Sequence, residues 1–253
     1  MPTALITGAT AGIGAAFTRR LARDGLDLVL VARNLERLES TAKELTAAYG
    51  VKVEVLQADL ADDAGIVRVE ERLKEGVDVL INNAGFGNNH GSFLEVPIED
   101  ELRMLKVHCE AVLRLTYAAV PGMRERRKGA VLNVGSVAGF FALGTYGATK
   151  AWILSFSVGV ARDLKGTNVK VMALCPGFVR TEFHKRAQVD VTGVPDVLWL
   201  DADRVVDTAL KDLKKGQQVS VPGGQYKAIV GLGRFVPRDL SGRLSTRTGK
   251  RYD

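Results

Sequence analysis

The sequence predicts an α/β fold: a doubly wound parallel sheet of about seven strands with helices on both faces, in a single domain. Three observations predict it. Short runs rich in β-branched and aliphatic residues alternate along the chain with longer segments of helical period. Most of those runs are apolar throughout, as strands buried on both faces are. A glycine-rich turn follows the first run and leads directly into a helical pattern.

The elements follow in order. Runs at 4–7, 26–32, 51–56, 77–82, 130–135, 169–174 and 217–221 are read as strands. Between them lie helical segments at 12–24, 35–48, 62–75, 98–127, 145–165 and 202–215. In segment 35–48, Leu35, Leu38, Ala42 and Leu45 fall on one stripe with charges elsewhere, the pattern of a helix packed by one face. The stretch 182–200 has no clear period, yet carries Phe183, Val189, Val191, Val194, Leu198 and Trp199. A long apolar loop in a compact domain is usually a lid or a binding loop. The expected organisation is a catalytic unit over 1–224 and a basic extension of the same domain over 225–253. The segment 225–238, apolar with basic residues, is a candidate amphipathic helix that would touch a membrane, cover the pocket or pack on a partner subunit.

Composition narrows the function classes. With 46% hydrophobic and 25% charged residues, 27 Gly, 7 Pro and 2 Cys among 253 residues, the chain is an ordinary globular one. Collagen-like, disordered and disulfide-stapled classes are excluded. Cys109 and Cys175 lack metal-ligand spacing and are expected to be buried thiols, with no metal site. The formal charge is +6, but residues 234–253 hold six Lys/Arg against two Asp, so the body is nearly neutral. That tail has only Phe235 and Tyr252 among its basic residues, too few stacking aromatics for a nucleic-acid surface, and no nucleic-acid partner is expected. No basic region precedes the first apolar stretch and no transmembrane segment is evident, so a cytoplasmic location is expected.

The first strand runs into Thr7-Gly8-Ala9-Thr10-Ala11-Gly12-Ile13-Gly14. Glycines are needed where backbone turns tightly and approaches a pyrophosphate, and the following helix N-terminus offers free N–H groups and a positive dipole end. The second strand ends Val31-Ala32-Arg33-Asn34, with no Asp or Glu from Leu28 to Leu35. A carboxylate there would bond the ribose hydroxyls of NAD(H) and repel a 2′-phosphate. Arg33 pairs with that phosphate and predicts NADP(H).

From 129 to 161 the only charged residue is Lys150, and a buried lysine is costly unless paired or used. Tyr146 precedes it by four positions, which on a helix puts the two about 40° apart and roughly 6 Å along the axis, on one face. Ser136 follows the fifth strand, at the carboxyl end where open α/β sheets bind ligands. An ammonium beside a phenol favours the ionised phenol, so Tyr146 is expected to titrate below the usual value of about 10, nearer neutrality, where general acid–base catalysis works best.

At this point the residues resemble a known family, the short-chain dehydrogenases/reductases, over nearly everything from Thr3 to Gly223. The resemblance implies a Rossmann-type sheet. Gly8, Thr10, Gly12, Ile13 and Gly14 look like its cofactor loop, Asp59 and Leu60 like the pair beside the adenine, and Asn82-Asn83-Ala84-Gly85 like the motif that steadies the central sheet and flanks the cofactor. Ser136, Tyr146 and Lys150 look like the catalytic Ser, Tyr and Lys, with Tyr146 and Lys150 also touching the cofactor. Pro176-Gly177-Phe178-Val179-Arg180-Thr181 looks like the nicotinamide-side segment, with Val179 near the carboxamide and Thr181 near the phosphates.

Three departures stand out. His108, in Lys106-Val107-His108-Cys109, occupies the position of the family's Asn, which helps hold a water that relays protons through the Lys. A histidine there would be a tolerated substitution, would hold water, or would itself titrate near pH 6.5, and it joins the candidate catalytic set. Ser136 and Tyr146 are only ten apart, which shortens the loop between them and reshapes one pocket wall. The tail beyond Tyr226 has no counterpart.

The resemblance implies reversible hydride transfer between the nicotinamide and a carbonyl or alcohol carbon. Tyr146 would be the general acid or base, Lys150 would lower its pKa and bond the nicotinamide ribose, and Ser136 would place the substrate oxygen. Candidate walls at 86–90, 140–143, Phe178 and the loop 182–200 hold Phe86, Phe140, Phe141, Phe178, Phe183 and Trp199, which favours an apolar ketone, aldehyde or alcohol. His90 and His184 in these loops are expected to be surface or packing residues. The alternatives are a 3-oxoacyl thioester reductase and a non-catalytic NADP-sensing or scaffold protein. A homodimer or homotetramer is implied, with 98–127 and 145–165 as contact surfaces.

Overall fold

The computed structural model describes residues 1–87, 94–141, 143–187 and 189–233. Seven strands form one sheet in the order β3-β2-β1-β4-β5-β6-β7: β1 Thr3–Thr7, β2 Asp27–Ala32, β3 Val53–Gln57, β4 Val79–Asn82, β5 Gly129–Val134, β6 Val169–Leu174 and β7 Val219–Ser220. Every pairing is parallel. The helices are α1 Gly12–Arg23, α2 Leu35–Tyr49, α3 Asp63–Lys74, α4 Ile98–Leu105, α5 Ala111–Glu125, α6 Gly144–Asp163, α7 Phe183–Arg186, α8 Ala202–Lys214 and α9 Gly224–Gly233.

The unbroken apolar runs have a direct cause. In β1, Ala4 and Ile6 enter one core with Phe17, Leu21, Leu38 and Val206 of α1, α2 and α8. Leu5 enters the other, with Ile66, Val69, Leu115 and Met123 of α3 and α5. Leu28 and Leu30 of β2 likewise face the first core, and Val29 and Val31 the second. Successive side chains point to opposite faces and both faces are covered, so both parities of β1 and β2 are largely apolar.

Strand order reverses beside β1, whose neighbours are β2 and β4, and a crevice opens there at the carboxyl ends of the strands. Buried side chains brace it. Asn82 Nδ2 donates to Asn133 Oδ1 at 2.9 Å and to Thr116 Oγ1 at 3.2 Å, while Asn133 Nδ2 donates to Ser157 Oγ at 3.0 Å, tying β4, β5, α5 and α6 together.

Two elements depart from expectation. The segment 98–127 is not one helix: α4 and α5 are separated by a π-turn at Lys106–Glu110, which carries His108. Such wide turns are rare and often sit at functional sites. The last run shrinks to the two residues of β7. Of the candidate amphipathic segment, Gly224–Gly233 is helical and docks through Tyr226 and Val230, 3% and 6% exposed. The remainder of the basic tail lies outside the described residues. No helix among the described residues is long and apolar enough to cross a membrane.

Candidate active site

The crevice is a cleft of about 1150 Å³. One half is built by the glycine loop. Thr18 Oγ1 donates to Gly14 O at 2.8 Å and Ala9 O at 3.2 Å, and Asn83 Nδ2 donates to Thr7 O at 2.9 Å and Gly8 O at 3.2 Å. Thr7 Oγ1 accepts from the Asn83 and Ala84 amides at 2.9 and 3.0 Å. These bonds hold the loop against the end of β4. Gly8 has φ +64°, open to glycine, and a side chain at Gly14 would overlap the Gly8 carbonyl. Ala11 precedes α1 without a side-chain cap, so the first amides of the helix are free for an anion. A cradle without side chains and an uncapped helix start fit a dinucleotide pyrophosphate.

At the outer end, Arg33 is 65% exposed, with NH1 3.8 Å from Asp59 Oδ2. Asn34 is spent locally: its Oδ1 caps α2 by accepting from the Arg37 amide at 2.8 Å. Arg37 and Arg103 also line the cleft. Arg103 is 3.8 Å from Asp59 and stacks over Phe86 at 5.6 Å, and Arg37 reaches Glu182 across the cleft at 3.3 Å. Reading the sequence only as far as the end of the second strand missed both. The spacing of Arg33 and Arg37, one turn apart at a helix start, signals the first, and nothing local signals the second.

The other half holds the polar cluster. Ser136 lies just beyond β5, and its Oγ accepts from the Ala138 amide at 3.1 Å. Tyr146 and Lys150 project from consecutive turns of α6. Lys150 is 6% exposed and its Nζ donates to Val134 O at 3.2 Å. A side chain at Gly139 would sit 2.6 Å from the Lys150 backbone carbon, so glycine there lets the turn after Ser136 press onto α6. Gly8, Thr10, Gly12, Ile13, Arg33, Asn34, Asp59, Leu60, Asn83, Ala84, Gly85, Ser136, Tyr146, Lys150, Pro176, Gly177, Val179 and Thr181 all line the one cleft. Gly14 and His108 support it from behind.

The expected titration of Tyr146 is reversed. Burial pushes its phenol up to about 12, with only a hydrogen bond from Ser136 pulling the other way. Burial also lowers Lys150 to about 8. The attraction of the nearby ammonium is outweighed by the cost of charging the phenol where water is excluded. Cys175, fully buried nearby, is likewise pushed up to about 12.

The expectation that His108 titrates near 6.5 also fails. It is 1% exposed, and burial together with the Lys150 charge holds its pKa well below that value. Its Nε2 accepts from the Phe86 amide at 3.1 Å and its Nδ1 meets Thr149 Oγ1 at 3.0 Å, so both nitrogens are engaged by protein.

The substrate side is aromatic. Phe178, Phe183, His184 and Trp199 form one cluster, with ring centroids 5.1–5.6 Å apart along its contacts, and Phe183 lies 6.3 Å from Tyr146. His184 packs within it, and burial lowers its pKa from the ordinary histidine value. Tyr226 anchors the cluster: its hydroxyl accepts from the Phe178 amide at 2.9 Å and donates to Leu198 O at 2.6 Å. A side chain at Gly177 would overlap the Tyr226 ring. Of the expected walls, Phe86, Phe141, Leu143, Phe178 and Phe183 face the cleft, Phe140 and Trp199 do not line it, and His90 and Ala142 lie outside the described residues. Among the described residues no group of His, Cys, Asp and Glu could hold a metal ion.

Known proteins resemble this chain in sequence and fold. A short-chain dehydrogenase from Sphingobium yanoikuyae, solved with NADPH, is 39% identical, with a TM-score of 0.85 over 92% of this chain and 94% of that one. The bulky-bulky ketone specific alcohol dehydrogenase from Comamonas testosteroni is 33% identical, with a TM-score of 0.80 over 92% of each chain. The very-long-chain 3-oxoacyl-CoA reductase of Anas platyrhynchos is 34% identical over 193 residues, 72% of this chain but 61% of that protein, so this chain matches less than two thirds of that relative's length. The family model for short chain dehydrogenases matches residues 2–191, and with the parallel sheet, the glycine cradle and the clustered Ser136, Tyr146 and Lys150, the chain belongs to the short-chain dehydrogenase family.

Proposed function

We propose that the protein is an NADP(H)-dependent oxidoreductase that interconverts an apolar carbonyl compound and its alcohol. The observation that carries this is the convergence of Ser136, Tyr146 and Lys150 on one cleft with the glycine cradle and Arg33. The cofactor supplies and accepts the hydride; the chain supplies orientation and the proton.

The cradle and the free amides of α1 would hold the pyrophosphate, Asp59 and Leu60 would flank the adenine, and Arg33 with Arg37 would take the 2′-phosphate. Pro176, Val179 and Thr181 would bound the nicotinamide end. The NADPH complex of the Sphingobium relative supports this preference. Tyr146, protonated up to about pH 12, is suited to donate to a developing alkoxide in reduction. Ser136 positions the substrate oxygen. Below about pH 8 Lys150 is charged and stabilises the negative charge that develops on the phenol oxygen as its proton leaves. Phe141, Phe178 and Phe183 exclude water and suit a bulky apolar substrate, in keeping with the name of the Comamonas relative.

A 3-oxoacyl thioester is a second candidate substrate, favoured by the name of the avian relative. One panel separates them: aryl ketones, a long-chain 3-oxoacyl thioester and simple alcohols, each followed by absorbance with NADPH and with NADH. Turnover of the thioester alone would replace the ketone reading, and preference for NADH would overturn the role of Arg33. A homo-oligomer formed through α4 and α5 is supported by Ile98, Leu102, Leu113 and Tyr117, at 60%, 56%, 44% and 79% exposure. Light scattering tests it: monomers in solution would remove it.

A further inference from the structure

The π-turn presents His108 to two partners, the Phe86 amide at the cleft wall and the buried Thr149 of α6. A peptide N–H can only donate, so the bond from the Phe86 amide requires a bare Nε2. The single ring proton then resides on Nδ1 and is donated to Thr149 Oγ1, whose own hydroxyl donates to the Tyr146 carbonyl at 2.8 Å. All the donors point one way: Phe86 amide, His108, Thr149, Tyr146 carbonyl. The ring is also wedged edge-on to Tyr146, with centroids 5.9 Å apart, and tilted on Phe86 at 5.7 Å. A side chain at Gly85 would sit 2.9 Å from His108 Nε2 and 3.7 Å from Lys150 Nζ. Glycine at 85 therefore admits the ring, and the nearby ammonium disfavours a second ring proton.

We propose that His108 is a positioning residue, a neutral Nδ1–H imidazole that ties the cleft wall at Phe86 to Thr149 and thereby to the helix carrying Tyr146. The wall that bounds the substrate and the helix that bears the proton donor are then held in one register. The idea rests on the reading of Tyr146 as proton donor, but the bonding it asserts does not. A water-holding or proton-relaying histidine would need a free ring nitrogen, and neither is free.

Nitrogen NMR of the wild-type chain reads the tautomer directly. Nε2 is expected as a bare, pyridine-type nitrogen and Nδ1 as the protonated one; a proton on Nε2 overturns the proposal. Native-state hydrogen exchange at the Phe86 amide reads the tie. His108→Asn keeps a group near the Nδ1 position but cannot reach Phe86, and is expected to speed exchange about tenfold, the worth of one hydrogen bond. His108→Gln places an acceptor near the Nε2 position and is expected to restore protection. Thr149→Val should loosen the same amide by releasing the far side of the ring. Unchanged exchange in His108→Asn or in Thr149→Val, or equal loss in His108→Asn and His108→Gln, overturns it. Kinetics with NADPH and propiophenone should show a raised KM at nearly constant kcat in His108→Asn, with NADPH affinity retained. A fall in kcat at constant KM with a displaced pH profile would instead identify a relay. Absence of turnover in the wild type, with the exchange pattern as described, would remove the enzymatic reading and leave the tie standing.

Discussion

Lys150 holds its ammonium 5.5 Å from the centre of the Tyr146 ring and donates to the Val134 carbonyl at 3.2 Å. It is close enough to stabilise a phenolate and too deeply buried to impose one. Tyr146 thus rests protonated, as the proposed proton donor must. Tyr146→Phe is expected to leave NADPH binding, followed by nucleotide fluorescence, within about twofold of wild type. Turnover should fall ~10²–10⁴-fold, the usual worth of a positioned acid. Retained turnover would reassign the donor.

Lys150 also makes a prediction about stability. Its pKa falls from 10.5 to about 8 in the folded chain. Between those values the unfolded chain binds more protons, so stability rises with pH across that window, and below it the folded chain bears the full cost of a buried ammonium. Tyr146, raised from 10 to about 12, acts with the opposite sign above pH 10. Lys150→Met should therefore be more stable than wild type at pH 7 by about 3 kcal/mol at most, while losing turnover. Denaturant melts at pH 7 and 9 check this: the gap between variant and wild type should narrow at the higher pH. A gap that widens would show that the lysine is not penalised by burial.

Cofactor choice is assigned to the exposed end of the cleft. Arg33 is 65% exposed and its one ion pair among the described residues is a 3.8 Å contact with Asp59, which a phosphate can replace. Arg33→Ala should weaken NADPH about tenfold to a hundredfold, one charged hydrogen-bonded contact, and leave NADH nearly unchanged. Arg37→Ala should weaken NADPH less, because Arg37 must first leave Glu182. Titration of both nucleotides into both variants, at low and high salt, measures the difference.

The parts of this site legible in the sequence are those written as local contrast. Lys150 stood out as one charge in a long uncharged stretch, and Gly8, Gly12 and Gly14 as small residues between a strand and a helix. Burial depth has no such local mark, which is why the direction of the Tyr146 shift was misjudged. The break at Lys106–Glu110 leaves the apolar pattern intact, since one wide turn displaces side chains by less than the width of the buried stripe. Arg103 and Tyr226 enter the site only through packing of distant segments. Arg103 meets Asp59 from α4, and Tyr226 arrives from α9, 48 residues after the amide it holds.

The glycine cradle can be tested by a single methyl group. In Gly14→Ala the new carbon would overlap the Gly8 carbonyl, and both ends are pinned, by Thr18 and by Asn83. The loop must shift as a body. Loss of stability of about 1–3 kcal/mol is expected, with a larger proportional loss of NADPH affinity. Gly25→Ala, where nothing lies within 4 Å but φ is +81°, should cost stability alone and serves as the control.

Tyr226 gives the sharpest separation between substrate and cofactor effects. Its hydroxyl bonds two segments of the aromatic cluster, accepting from the Phe178 amide and donating to the Leu198 carbonyl. The ring itself is 3% exposed and fills the space that Gly177 leaves open. Tyr226→Phe keeps that packing and deletes both bonds, leaving a buried amide and carbonyl without this partner at a cost of about 1–3 kcal/mol. Phe178 lines the cleft and packs tilted on Trp199 at 5.6 Å, so slackening their backbone should raise KM for an apolar ketone several-fold. The cradle and Arg33 lie at the opposite end of the cleft and do not contact this hydroxyl, so NADPH affinity should hold. Equal loss of ketone and NADPH binding would mean that α9 braces the whole cleft rather than its substrate wall.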